Sequence, residues 1–412
     1  MSNNLDEVKH KLKKYGQEHL LNFYDTLEES KQKKILEQID GIDFELINSL
    51  YNKTKNGVNI EYGNITPINF IDKYKLNGKY KYYEDIGKKS IKEGKLACVT
   101  MAGGQGTRLG HKGPKGTYDI GLDSHKSLFE LLCDYLKTES DRYGVQIPWF
   151  IMTSRENNSD TVKYFEDNKY FGYEKNIYFF IQGELPMIDT EGKILIGEDG
   201  LIKEAADGHG GVYESLLKSG MTKKMRELGI EWVFIGGVDN CLVKMVDPVL
   251  MGIAIDSGVT AAGKSVVKAN PHEKVGAFCK KNGKPSVVEY TEITDEMAEA
   301  KDKNGELLYG ESHILCNLFN ISAIERMGSE PLPYHSAFKK ATYIDKNGNK
   351  VVPDSPNAFK FEAFLFDAFS EIDDMAVLRV KREEEFAPVK NATGVDSPET
   401  ARALYNNFYK LS

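Results

Sequence analysis

Apolar residues at Leu5, Val8 and Leu12 recur at helical spacing, and Ile35, Ile39, Phe44, Ile47 and Leu50 do the same across an interruption at Asp40-Gly41. In a background rich in Lys, Glu, Leu and Asn, they predict a helical lead-in before about residue 76. Its Lys31-Gln32-Lys33-Lys34 run reads as a solvated helix face, and Tyr74, Tyr80, Tyr82 and Tyr83 as a connector tied onto the next segment. From Leu96 the pattern changes. Apolar runs at 96–100, 148–153, 177–182 and 231–236 alternate with helical periodicity at 126–143, 160–168 and 211–228. That alternation predicts parallel strands joined by crossover helices. Beyond Gly263 the chain becomes more β-like, with strands expected at 286–290 and 314–321 and hairpin turns at Asp302-Lys303-Asn304-Gly305 and Asp345-Lys346-Asn347-Gly348-Asn349. The tail predicts one helix over 360–369 and a strand over 377–381, and the chain shows no internal repeat. Three consecutive segments result: 1–90 helical, 91–334 α/β and 335–412 α+β.

In parallel α/β sheets ligands sit beyond the carboxyl ends of the strands. The first strand runs into Met101-Ala102-Gly103-Gly104-Gln105-Gly106-Thr107-Arg108-Leu109-Gly110, followed by Pro114-Lys115-Gly116. Glycines let backbone N–H groups approach an anion, while Arg108 and Lys115 add forked and mobile positive charge. A Walker loop would need Lys-Ser/Thr after Gly110, where His111 stands; the dinucleotide fingerprint would need glycine at Leu109. Two extra cations suit a triphosphate and its leaving group, so the loop reads as one for nucleotidyl transfer rather than a structural glycine turn or an oxidoreductase loop.

Composition narrows the partners. The 412 residues carry a formal charge of −8, with 41% hydrophobic and 28% charged residues, which gives no global positive field for nucleic acid and leaves any cationic site local. No apolar stretch is long enough to span a bilayer, and the first residues have no basic region followed by an apolar core, so a cytoplasmic protein is expected. Cys98, Cys133, Cys241, Cys279 and Cys316 are odd in number and mostly set in apolar runs, as buried reduced thiols are.

Other strand ends supply further candidates. Asp239 reads as a ligand for a divalent metal bridging phosphate oxygens, or as the N-cap of the next helix. Gln182 offers donor and acceptor to a base edge, or serves as a core or capping residue. Ala206-Asp207-Gly208-His209-Gly210-Gly211 is a second glycine-rich turn opening a helix, able to lie against a flat ring while His209 gives a directional hydrogen bond. Glu289 is a sugar-hydroxyl acceptor or a solvent-face residue of its strand; Lys360 and Lys390 are isolated lysines, a type usually found at the surface.

The glycine loop with Pro114-Lys115-Gly116-Thr117-Tyr118-Asp119-Ile120-Gly121-Leu122 resembles the signature of UDP-N-acetylhexosamine pyrophosphorylases, within the wider uridylyltransferase family. The similarity continues through Ile147 to Ser154, Lys169-Tyr170-Phe171-Gly172, Phe179-Phe180-Ile181-Gln182-Gly183, Val238-Asp239-Asn240, Val287-Val288-Glu289-Tyr290, Phe361 to Asp367 and Glu385 to Ala392. It implies a Rossmann-like (GT-A-like) nucleotidyltransferase fold, with a mixed, mainly parallel sheet flanked by helices. It further implies transfer from UTP to a hexose 1-phosphate, N-acetylglucosamine 1-phosphate first among them, with Mg2+ and release of pyrophosphate. By the resemblance, Ala102, Gly103 and Gly104 hold the nucleotide, and Arg108 and Lys115 bind phosphates and the leaving pyrophosphate. Gln182 and Gly208 recognise uracil, Asp239 holds Mg2+, Gly276 and Glu289 bind the sugar, and Lys360 and Lys390 close onto phosphates. Two positions depart from the family's pattern: His209 and His313 stand where asparagines near the sugar are typical. The Gly-His-Gly turn is closer to that of UDP-glucose and broad UDP-sugar pyrophosphorylases, which makes UDP-glucose or broad UDP-hexose synthesis the alternative. From other classes, an NAD(P)-dependent oxidoreductase predicts cofactor binding without pyrophosphate release, and a non-catalytic nucleotide-sugar sensor predicts binding without turnover.

Overall fold

The computed structural model describes residues 5–55 and 63–410. Compactness divides the chain into two units, each built from separate stretches. One comprises the described residues of Met1–Glu61, Gly183–Gly211 and Leu332–Phe364; the other comprises those of Tyr62–Gln182, Val212–Pro331 and Leu365–Ser412. The three consecutive segments read from sequence character are therefore interleaved here, because both units draw on residues from the middle and the end of the chain.

The larger unit is organised by a mixed sheet. Its strands β1 (Leu96–Met101), β2 (Trp149–Thr153), β3 (Ile177–Ile181) and β4 (Trp232–Gly237) lie in the order β3-β2-β1-β4, all parallel. Beyond β4 follow β6 (Glu311–Asn320), β5 (Ala261–Val267) and β7 (Ala376–Arg379), with β4–β6 and β6–β5 antiparallel and β5–β7 parallel. Every residue of β1 and β2 is buried, as expected where helices cover both faces of a sheet and each strand reads as a continuous apolar run. The chain leaves β1 toward β2 on one side and returns at β4 on the other, so the carboxyl ends of β1 and β4 border a topological switch point.

Local chemistry fixes the flanking helices. Leu128–Tyr143 starts at a Ser127/Glu130 capping box and stops at Gly144, whose φ of 67° is left-handed. Pro248–Ser257 starts at Asp247, whose carboxylate accepts from Val249 and Leu250 N–H, with proline at the first helical position. It packs against Lys79–Lys92 at unusually close range: a Cβ on Gly87 would lie 1.9 Å from Pro248 O, and one on Gly252 1.9 Å from Tyr83 O.

The smaller unit contains the helices Leu5–Lys14, Glu29–Gly41 and Phe44–Lys55, as the N-terminal periodicity predicts. Leu12, Ile35, Ile39, Phe44 and Ile47 share a core with Ile188, Ile194, Ile202 and Phe361.

Two predicted helices take other forms. The expected helix at 360–369 is instead a strand, Ala358–Glu362, followed by a 3-10 helix, Leu365–Glu371. In Ala-Phe-Lys-Phe-Glu, Phe361 turns into the core while Lys360 and Glu362 take the other face, and pairing with His335–Lys339 and Ile188–Asp189 settles the period-two reading. The segment 211–228 is two helices, Val212–Lys218 and Met221–Glu227, parted at Gly220 with φ 75°. No helix among the described residues is long and apolar enough to cross a membrane. All five cysteines are buried and unpaired, in line with the reduced-thiol expectation.

Candidate active site

The glycine loop leaves β1 and folds back on itself. Gly106 N–H donates to Gly113 O at 2.9 Å, Lys115 N–H to Gly104 O at 3.0 Å and His111 N–H to Gly106 O at 3.1 Å. These bonds bring Pro114-Lys115 back against Gly104-Gln105. Arg108 sits exposed on the 3-10 turn Thr107–Leu109. A Cβ on Gly103 would lie 2.3 Å from Gln182 Oε1, so glycine there is what lets the Gln182 carboxamide lie against the loop.

Asn157, which carries no sequence signal of its own, is fully buried and braces this loop: its Nδ2 donates to Ala102 O at 2.9 Å and Gly104 O at 3.3 Å, while its Oδ1 accepts from Ser154 N–H at 2.9 Å. Ser154-Arg155-Glu156-Asn157 has the composition of a polar turn after a strand, but nothing in it shows that the amide reaches residues fifty positions earlier.

Asp239 follows β4 at the neighbouring strand end. It is not a helix cap; the next helix is capped by Asp247. Its Oδ2 lies 3.4 Å from Lys115 Nζ, with the two side chains 25% and 18% exposed, so the pair is partly shielded yet reachable. Lys390 is placed beside it by the backbone. Val389 N–H donates to Asp239 O at 2.9 Å, Cys241 N–H to Ala387 O at 3.2 Å, and Asn240 uses both ends of its amide, donating to Glu385 O at 2.8 Å and accepting from Ala387 N–H at 2.9 Å. The exposed Lys390 ammonium lies 3.7 Å from Asp396. Ala102, Gly103, Gly104, Lys115, Gln182, Asp239 and Lys390 thus belong to one region of the larger unit, at the switch point.

A second group in the same unit holds three positions assigned to the sugar. His313 N–H donates to Gly276 O at 2.8 Å, and a Cβ on Gly276 would be 3.0 Å from Glu289 Oε1. The His313 ring is buried edge-on among Phe278, Phe366 and Phe369, with Nε2 3.2 Å from Asn317 Oδ1. Glu289 stands one residue past the end of its strand, Lys284–Val288, rather than inside it.

In the smaller unit the second glycine turn is braced by main chain. Ala363 N–H donates to Asp207 O at 2.7 Å and Gly210 N–H to Ala363 O at 2.8 Å, and a Cβ on Gly208, whose φ is 90°, would lie 2.4 Å from Ala363 O. His209 stacks on Phe364 at 5.5 Å, and Phe364 also stacks on His335. Lys360, on the adjacent strand, pairs with Glu362 at 2.8 Å.

A family model described as UTP–glucose-1-phosphate uridylyltransferase matches residues 43–397. A Dictyostelium discoideum protein named probable UDP-N-acetylglucosamine pyrophosphorylase is 35% identical over 99% of this chain and 88% of its own length. A Saccharomyces cerevisiae UDP-N-acetylglucosamine pyrophosphorylase is 36% identical over 95% of this chain and 87% of its own. Among solved structures, the Trypanosoma brucei uridine diphosphate N-acetylglucosamine pyrophosphorylase in complex with inhibitor superposes with a TM-score of 0.83, at 32% identity, over 97% of this chain and 84% of that one.

Proposed function

The chain belongs to the UTP–glucose-1-phosphate uridylyltransferase family and is a uridylyltransferase, and from that premise we propose that it joins UTP and N-acetylglucosamine 1-phosphate into UDP-N-acetylglucosamine, releasing pyrophosphate. The observation that supports the reaction is the pairing of Lys115, from the glycine loop, with Asp239, whose carbonyl oxygen accepts from Val389 N–H, next to Lys390. The names of the relatives, at 35% and 36% identity, support the sugar. The family match leaves the nicotinamide oxidoreductase reading without support.

The reaction is one in-line displacement. A phosphate oxygen of the sugar 1-phosphate attacks the α-phosphorus of UTP, and the bond to the β-phosphate oxygen breaks as pyrophosphate leaves. The nucleophile is already anionic, so no general base or covalent intermediate is needed; the protein aligns two anions and offsets charge on the leaving group. Arg108 and Lys115 serve the leaving side and Lys390 screens the attacking phosphate. Gln182 is assigned to uracil, and Ala102, Gly103 and Gly104 to the nucleotide backbone contacts. Gly276, Glu289 and His313 are assigned to the sugar; Gly208, His209 and Lys360 keep the roles that the resemblance gives them.

Asp239 fits Mg2+. Among the described residues no group of three or more His, Cys, Asp or Glu side chains is arranged around a metal position. A partly exposed carboxylate, here beside Lys115, is the kind of ligand this ion would use together with phosphate oxygens. Asp239 would hold Mg2+, which would supply charge neutralisation to the phosphates.

A panel of sugar 1-phosphates with UTP and Mg2+, read by pyrophosphate release, tests the assignment. The highest kcat/KM is expected with N-acetylglucosamine 1-phosphate. Equal or better use of glucose 1-phosphate would assign the enzyme to UDP-glucose or broad UDP-hexose synthesis instead, and tight UDP-sugar binding without pyrophosphate exchange would make it a sensor. His209→Asn should raise the preference for the acetamido sugar; an unchanged ratio would remove His209 from the sugar contacts.

A further inference from the structure

Lys268 follows the last residue of β5 and is only 6% exposed. Its backbone N–H donates to Gly310 O at 2.9 Å. Its ammonium, among the described residues, has no hydrogen-bond acceptor and no carboxylate within 4 Å. The neighbouring carboxylates are committed elsewhere. Glu273 accepts from Arg382 at 2.8 Å and from Ala269 N–H at 2.6 Å; Glu306 accepts from Arg379 Nη1 at 2.9 Å, and Glu311 holds the rest of that guanidinium. Lys268 lines a cavity of about 290 Å³ together with Asn270, the exposed Lys301, Glu306 and Arg379.

The side chain is buried while its ammonium meets solvent only through this cavity, with no carboxylate to balance it, and two events relieve that imbalance: loss of the proton or arrival of an anion. Burial does depress the Lys268 pKa, with Glu273 opposing it. Yet a cavity bordered by a second lysine is better suited to the anion than to a neutral amine. We propose that the Lys268 cavity is a second oxyanion site, built from residues other than those of the glycine loop, that takes a phosphate group. The Arg379 fork is already filled by Glu311, so planar two-point recognition of a carboxylate is not on offer, whereas Lys268 and Lys301 are point charges that suit a tetrahedral oxyanion. The cavity is at the low end of the range for small-molecule pockets, which favours inorganic phosphate or a phosphate monoester over a nucleotide.

Calorimetric titration of the full chain with inorganic phosphate, without UTP or sugar phosphate, tests this. A Lys115→Ala background weakens the loop's own attraction for phosphate. In that background phosphate binding should still saturate; Lys268→Met should weaken it about tenfold or more, Lys268→Arg should retain it, and Lys301→Ala should weaken it about threefold. No saturable binding, or the same affinity in a Lys268→Met variant with native circular dichroism, would show Lys268 to be a neutral buried amine. Should Lys268→Met fail to fold, the exposed Lys301 carries the test, and unaltered affinity in Lys301→Ala overturns the site.

Discussion

Two charged groups in the larger unit are handled in opposite ways. Lys264, with its side chain wholly buried, lies 2.9 Å from Asp247 and 2.5 Å from Glu385, and Lys73 pairs with the same two carboxylates at 2.8 and 3.1 Å. Two cations meet two anions, and the leftover donor capacity of Lys264 is used by Lys244 O at 3.1 Å. At the carboxyl ends of the strands, Lys115 pairs with Asp239 and Lys390 with Asp396, and the exposed Arg108 adds a further positive charge. In the buried quartet charge is cancelled within the protein; beside the glycine loop it stays open to solvent, where the proposed function puts phosphates and a metal ion. The two groups are also mechanically linked, since Glu385 immediately precedes Phe386-Ala387-Pro388-Val389-Lys390 and its carbonyl oxygen is held by Asn240.

Lys264→Met breaks the contrast most directly. It leaves two buried carboxylates sharing Lys73, and removing one partner of a buried ionic network typically costs about 3–5 kcal/mol, to be read as a lower midpoint in denaturant unfolding. The double variant Lys264→Met/Glu385→Leu should lose less than the single one, because charge is removed in pairs. Losses that simply add would show that the quartet is not one unit. The open group should behave in reverse. Arg108→Ala should lower turnover by about two orders of magnitude with an unchanged unfolding midpoint, because the side chain is exposed and, in the proposed mechanism, serves charge that develops in the transition state. Near wild-type turnover at saturating substrates would take Arg108 out of the mechanism. Gly103→Ala is expected to be milder: its Cβ displaces only the end of the Gln182 side chain, so kcat/KM for UTP should fall about tenfold with little effect on kcat.

These groups also differ in how plainly the sequence announces them. The open group was legible because its chemistry is local: glycines, Arg108 and Lys115 lie within a short loop after an apolar strand, and Asp239 ends another such strand. Lys390 had no local signal and entered only through the family resemblance. The buried quartet was silent, since Lys73, Asp247, Lys264 and Glu385 are far apart in the chain and isolated charges ordinarily mark a surface. Asn157 was silent for the same reason. The error at 360–369 arose where a strand and a 3-10 turn adjoin and blur the helical period, and pairing with distant strands decided it. The interleaving of the two units is likewise a matter of long-range contacts, to which a pattern read along the chain is blind.

The smallest expected effect is one of pH, and it sharpens the comparison because the quartet should not contribute to it. Burial opposes ionisation of Asp247, but Lys264 and Lys73 overcome it and hold its carboxyl well below the ordinary carboxylate range, so its contribution is present above about pH 4 and is lost as pH falls further. Lys73 and Lys264 are raised against burial by the same carboxylates, so they keep their protons beyond about pH 10. Between about pH 8 and 10 the quartet is therefore flat. Lys244 is different. It has no carboxylate within 4 Å among the described residues, packs 4.0 Å from the Phe408 ring centre beside Tyr135 and Tyr409, and is brought down to about 8 by burial, which Glu385 only partly offsets. Above pH 8 the unfolded chain holds a proton on this amine that the folded chain has released, so Lys244 adds stability as pH rises toward its unfolded value. The buried thiols act in the opposite sense: burial pushes Cys133, Cys241, Cys279 and Cys316 up to about 12, so stability falls above their unfolded value. The quantity to measure is accordingly the difference between wild type and Lys244→Met, in which the thiols cancel. It should grow in favour of wild type by about 1 kcal/mol from pH 8 to 10, allowing for solvent screening of a partly exposed amine. Parallel stability curves would mean that Lys244 stays protonated among the aromatic rings, and that the fold tolerates a cation there without a carboxylate to cancel it.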